Sequence, residues 1–211
     1  MKSTRAQTFF FDSEKMRIRE SVRAVEKGTS GEIATMVVDQ SDGYLEAEVL
    51  GGMLASGLVA MIISVALQHV TIWTFVPIVC VLYFPARFLL IRFPSLKVPF
   101  VNKKRMMRAV QERAVRAFYE RGLYRTREEN GILIFISILE RKVWILGDRG
   151  INLRIPHETW QAHADEISQG IREGRPCDAL CAVIENCGRV LVEHFPRKED
   201  DTNELTDELI C

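Results

Sequence analysis

Residues 49–86 contain no Asp, Glu, Lys or Arg, an uncharged run of 38 positions. A bilayer-crossing helix needs only ~20 apolar residues, and one helix of this length would span roughly 60 Å, about twice the hydrocarbon core. The run must therefore turn back. It divides into a span over residues 50–67 and another over 71–90, with Gln68 and His69 the only strongly polar side chains near its midpoint. Trp73 and Tyr83 suit the interfacial ends of the second span, and Pro77 is a place for a kink. Gly51, Gly52, Ala55, Ser56 and Gly57 keep the first span thin, so that a second helix can approach its backbone closely. A soluble chain of 211 residues has too little protein around such a pair to bury it.

The flanks set the orientation. Residues 87–127 hold twelve Lys and Arg against two acids, Glu112 and Glu120, a net charge of +10. Cations beside a span stay on the cytoplasmic side, whereas acids such as Asp42, Glu46 and Glu48 contribute little to the choice. Both termini are expected in the cytoplasm, and residues 1–48 hold no apolar stretch of the secretory kind. Over the whole chain 28 cations balance 28 acids, which argues against a bulk nucleic-acid binder. The cluster Lys103, Lys104 and Arg105 reads either as a contact for anionic lipid headgroups or as topogenic charge alone. Five cysteines without a CxxC pair point away from a disulfide framework and from a zinc knuckle.

The remaining chain reads as one soluble domain split around the hairpin. Ile18, Val22 and Val25 recur at helical spacing over residues 14–27, with Asp12 or Ser13 as a start signal and Gly28 as a stop. Residues 32–39 have the β-branched density of a buried strand. A second helix covers 102–121, ending at Gly122. Residues 132–139 and 143–147 form strands joined by Glu140-Arg141-Lys142, short enough for an antiparallel hairpin. Helices follow over 156–174, with Pro156 at the first helical position, and 177–194, and a polar, acidic tail ends the chain. Neither half can close a core alone, so the apolar helices are an insertion into one domain.

The blocks Glu26-Lys27-Gly28-Thr29-Ser30-Gly31-Glu32-Ile33, Asn130-Gly131-Ile132-Leu133-Ile134-Phe135, Glu140-Arg141-Lys142-Val143 and Gly147-Asp148-Arg149-Gly150-Ile151 resemble the TPM domain family, over roughly residues 14–195. The ending Asn203-Glu204-Leu205-Thr206-Asp207 is similar to that of a bacterial membrane-anchored branch. The resemblance implies an α/β fold, a TPM-like sheet covered by helices, here interrupted by a two-helix transmembrane hairpin. The expected organisation is 1–47 and 93–196 for the cytoplasmic domain, 48–92 for the hairpin and 197–211 for the tail, in the inner membrane. For some members it implies divalent-cation binding, calcium or magnesium, or acid-phosphatase activity; others look like assembly factors for membrane complexes. This chain departs from the metal-binding pattern at two points. His157 stands after Pro156 where an acid is usual, and Asp148-Arg149-Gly150-Ile151-Asn152 replaces an aromatic-glycine-leucine-glutamate turn.

The sharpest site expectation gathers Glu32, Asp39, Asn130, Asp148 and Arg149 near strand ends, with the first four as cation ligands. Asp148 and Arg149 are the catalytic candidates, since phosphoryl transfer needs a nucleophile or activated water and cationic stabilisation. The alternative is a plain turn in which Gly150 takes positive φ and Asp148 bonds backbone amides. No phosphate-binding P-loop, GxSxG elbow or HExxH helix is present. Two classes stay open: a membrane-tethered binding or assembly factor, its partners the lipid bilayer and a membrane protein, and a membrane-tethered phosphatase or metal-dependent hydrolase. Loss of two carboxylates from the family pattern favours the first.

Overall fold

The computed structural model describes residues 5–68, 71–126, 128–197 and 209–210. His69 and Val70 of the expected turn, and most of the tail, lie outside the described residues. In chain order the elements are α1 (Asp12–Glu26), β1 (Glu32–Val38), α2 (Leu45–Ala66), α3 (Ile72–Arg92), a 3-10 segment (Pro94–Phe100), α4 (Lys103–Glu120), a 3-10 turn (Leu123–Arg125), β2 (Gly131–Ser137), β3 (Lys142–Gly147), α5 (Arg149–Asn152), α6 (His157–Arg172) and α7 (Pro176–His194). They form two compact units, one of Met1–Ser41 with Met107–Cys211, the other of Asp42–Met106.

The first unit is built on a three-stranded sheet of order β1-β2-β3, in which β1 and β2 run parallel and β3 antiparallel to β2. Because strand side chains alternate between faces, the residues sort into two cores. Ile33, Val37, Ile132, Ile134, Ile136 and Ile145 face a layer that includes Ile18 of α1, Trp160 of α6 and Leu180 and Ile184 of α7. Ala34, Met36, Leu133 and Phe135 face Val110, Ala114 and Phe118 of α4. Central β2 is thus buried on both sides, which is why its sequence is continuously apolar rather than alternating. Each of its fully buried Ile, Leu and Phe side chains contributes about 2 kcal/mol of transfer free energy.

Several local expectations change. Phe11, not Asp12 or Ser13, is the N-cap of α1, and its amide donates to Glu14 Oε2 at 2.8 Å. The chain's second strand ends at Ser137, because residues 138–141 are already turning. Gly122 does stop α4, with φ of 73°, a backbone region costly for any residue with a Cβ. Part of the tail is held: Val37 N–H donates to Ile210 O at 2.8 Å and Ile210 N–H to Thr35 O at 2.9 Å, covering the outer edge of β1. An uncovered edge would leave a row of unpaired backbone groups.

In the second unit α2 and α3 form a hairpin. Gly51, Gly52, Ser56, Ala60 and Ser64 make the buried stripe of α2, at the four-residue spacing of one helix face. A Cβ on Gly52 would come within 3.1 Å of Tyr83, so the small side chain sets the helix separation there. Ala55 faces outward and Gly57 meets nothing. Helix α3 continues through both Pro77 and Pro85. The unit is wider than the uncharged run, because the segment Pro94–Phe100 packs back on the hairpin and places Phe100 3.0 Å from where a Cβ on Gly51 would stand.

Candidate functional site

The antiparallel turn from β2 to β3 brings the end of β3 beside the start of β2, and the parallel pairing brings the start of β1 there too. Glu32 pairs with Gly131 and Ile132 with Gly147, so Glu32, Asn130, Asp148 and Arg149 come to one end of the sheet. Asp39 does not. It lies beyond the far end of β1, where its Oδ1 accepts the Ala6 amide at 2.6 Å.

Backbone bonds stitch this end together: Glu32 N–H donates to Asn130 O at 3.3 Å, and Asp148 N–H to Gly131 O at 2.8 Å. Asn130 is 2% exposed. Its Nδ2 donates to Ser30 O at 2.7 Å and to Ser30 Oγ at 3.2 Å, and its amide donates to Thr126 Oγ1 at 3.1 Å. The amide side chain therefore ties two loops and has its hydrogens committed. Ser30 Oγ also donates to Glu128 Oε2 at 3.3 Å.

Asp148 is the N-cap of α5, its Oδ1 accepting the Arg149 amide at 2.7 Å. Among the described residues its Oδ2 is buried without a hydrogen-bond partner. Burial raises this carboxyl above its ordinary value, the neighbouring Glu129 raises it further, and the Arg149 amide pulls against both. The turn following it differs from expectation. Gly150 lies in α5 without a positive φ. It is required for another reason: a Cβ there would stand 2.5 Å from Glu128 O and 2.8 Å from Glu129 O. The loop carrying Glu128 and Glu129 presses against the helix at that point, and Gly150 N–H donates to Glu129 O at 2.9 Å.

Ser30, Glu128 and Glu129 thus belong to this strand-end cluster although sequence spacing did not select them. Their signal was present in the run Glu128-Glu129-Asn130-Gly131, which sets two acids immediately before a strand. Among the described residues no group of three or more His, Cys, Asp or Glu side chains is arranged to hold a metal ion. What the arrangement offers chemically is one acid of raised proton affinity beside an exposed Arg149.

The basic cluster at the start of α4 divides. Lys103 and Lys104 are exposed. Arg105 is engaged: its Nη2 donates to Asp42 Oδ2, its Nε lies 3.2 Å from Glu46 Oε1, and its guanidinium sits 5.7 Å from the Tyr44 ring.

Residues 98–190 match the family model of the TPM domain. No curated protein matches the chain. Among solved structures, the chain is similar to the NMR structure of BA42 protein from the psychrophilic bacterium Bizionia argentinensis, at 21% identity and a TM-score of 0.60, over 96% of this chain and 94% of that one. At that identity the likeness establishes a shared fold.

Proposed function

Since the chain carries a TPM domain and two helices long and apolar enough to cross a membrane, we propose that it is a multi-pass protein of the bacterial inner membrane, both termini in the cytoplasm, whose TPM domain is a binding or assembly factor for a membrane complex. The observation that carries the anchoring is the outward surface of the hairpin. Met53, Leu54, Leu58, Ile62, Trp73 and Phe84 are all more than half exposed, with Trp73 at 87%. Water would oppose so much apolar surface, whereas lipid is its natural solvent.

The binding role is supported by what the strand-end residues already do. Asn130 joins loops and Asp148 Oδ1 caps a helix. A hydrolase needs groups free to meet a substrate. The full-length chain should resist alkaline carbonate extraction from membranes, reporters fused at either terminus should score as cytoplasmic, and purification in mild detergent should retain a membrane-protein partner. A periplasmic score at the C-terminus would refute the topology, and an unaccompanied chain the assembly role.

One observation favours the second reading, a membrane-tethered acid phosphatase or metal-dependent hydrolase. Asp148 Oδ2, unpartnered among the described residues, is a candidate ligand or acid, with Glu32 at the same sheet end. Calcium or magnesium titration of the full chain with a general phosphomonoester decides between them. Turnover abolished by Asp148→Asn with the fold intact would establish the hydrolase; absence of both binding and turnover leaves the binding factor.

A further inference from the structure

At the end of the sheet opposite Asp148, where β2 runs into the turn to β3, a cavity of about 470 Å³ opens between that turn, α6 and the N-terminal segment. Small-molecule sites typically enclose ~300–1,000 Å³, with apolar walls and a few placed polar groups. Here Phe9, Ile138 and Ile171 contribute apolar wall, and Ser168 contributes a hydroxyl. The charged groups at the rim have one sign. Arg141 from the turn and Arg172 from the last turn of α6 both line the cavity, and among the described residues its lining holds no carboxylate.

The neighbouring acids do not themselves line the cavity, although Glu140 is bonded to the lining residue Ser137. Glu140 accepts from the Ser41 amide and from Ser137 Oγ, and Glu173 accepts from Gln169 and Arg175. Arg172 donates to Gln169 Oε1 at 2.9 Å, a neutral partner, while its charge also acts on the neighbouring Glu173. Arg141 holds a left-handed backbone with φ of 52°, where glycine or asparagine is the easier choice. A long cation occupies it instead.

We propose that this cavity binds a small molecule bearing one anionic group, a carboxylate or a phosphate, on an apolar body. A guanidinium fork pairs bidentately with two oxygens of a carboxylate or a phosphate, and the apolar wall buries the body. A neutral apolar ligand would desolvate the arginines without pairing them, and a bare inorganic anion would leave the walls wet. The inference does not depend on the membrane role.

The test uses the full-length chain in lipid nanodiscs, with empty nanodiscs as background, titrated by NMR with 2-naphthoate, 2-naphthyl phosphate, 2-naphthylmethanol and inorganic phosphate. One of the two naphthyl anions should bind, and which one identifies the anionic group. The neutral alcohol, and the same anion on the Arg141→Ala/Arg172→Ala chain, should each bind about tenfold or more weakly, the loss expected for charge-assisted hydrogen bonds. On the unaltered chain the bound anion should shift the Arg141 and Arg172 side-chain resonances, a readout independent of whether the double variant folds. Binding of neither naphthyl anion above background, equal binding by the double variant, inorganic phosphate binding as tightly as the naphthyl anion, or shifts that spare both arginines would each overturn the proposal.

Discussion

Asp148 and Gly150 stand two positions apart in one turn, and each makes a prediction of its own kind. Burial and Glu129 hold the Asp148 carboxyl above its ordinary value of 3.8, so the folded chain binds more protons than the unfolded one between the two values. Its contribution is complete below 3.8 and is lost as pH rises through the raised folded value. Asn retains an oxygen to cap α5 and carries no charge. Asp148→Asn should therefore melt above the native chain at neutral pH, the difference closing in acid; a lower melting temperature at neutral pH would show that the charge is needed. Gly150→Ala should destabilise by about 1–3 kcal/mol in denaturant titration, because the added methyl meets backbone oxygens that cannot move alone. The composition of the turn pointed to glycine for its φ; the actual constraint is a neighbouring loop.

Within the second unit, ionic contacts link the entry to α2 with the segments after it. Lys97 Nζ lies 2.5 Å from Glu48 Oε1 and 3.0 Å from Gly43 O, with the side chains only 4% and 11% exposed. Removing Glu48 leaves the buried Lys97 with the Gly43 carbonyl, and removing Lys97 leaves Glu48 with Arg87 Nε at 3.9 Å. Lys97→Met or Glu48→Gln should therefore each cost about 3 kcal/mol, whereas replacing both by apolar residues should cost much less. Thermal unfolding of the purified chain in detergent reads both. Asp42 gives the opposite pH sign to Asp148. Burial pulls its carboxyl upward, but hydrogen bonds from Arg105 and from the Gly43 and Tyr44 amides outweigh that and hold it below 3.8. Its stabilisation is present above that value and disappears as pH falls. Asp42→Asn should melt lower than the native chain at neutral pH and converge with it in strong acid. These acids precede the first span, where topogenic rules give them almost no weight; their structural use depends on partners 49 positions away for Glu48 and 63 for Asp42.

The first unit has two apolar cores, one on each side of its sheet, assembled from residues on both sides of the hairpin. A chain lacking residues 42–106, with a flexible Gly/Ser linker joining Ser41 to Met107, should therefore fold as a soluble domain with a cooperative melt. Failure of such a chain to fold would mean that the apolar hairpin is needed to complete the domain. The covered edge of β1 belongs to this scale as well, since Ile210 reaches it from the last residues of the chain.

Features with local or periodic causes were legible in the residues before any fold was known. An uncharged run too long for one span dictates the hairpin, the unbroken apolar run of β2 dictates burial on both faces, and Gly122 dictates where α4 stops. Tertiary structure alone decided which residues meet. It separated Asp39 from Glu32 by the length of β1, joined Ser30 to Asn130 across 100 positions, paired Lys97 with Glu48, and put Ile210 on the open edge of the sheet. Contacts of that kind depend on strand direction, register and the closeness of backbones, and a side chain's identity carries none of those quantities until the chain has closed on itself.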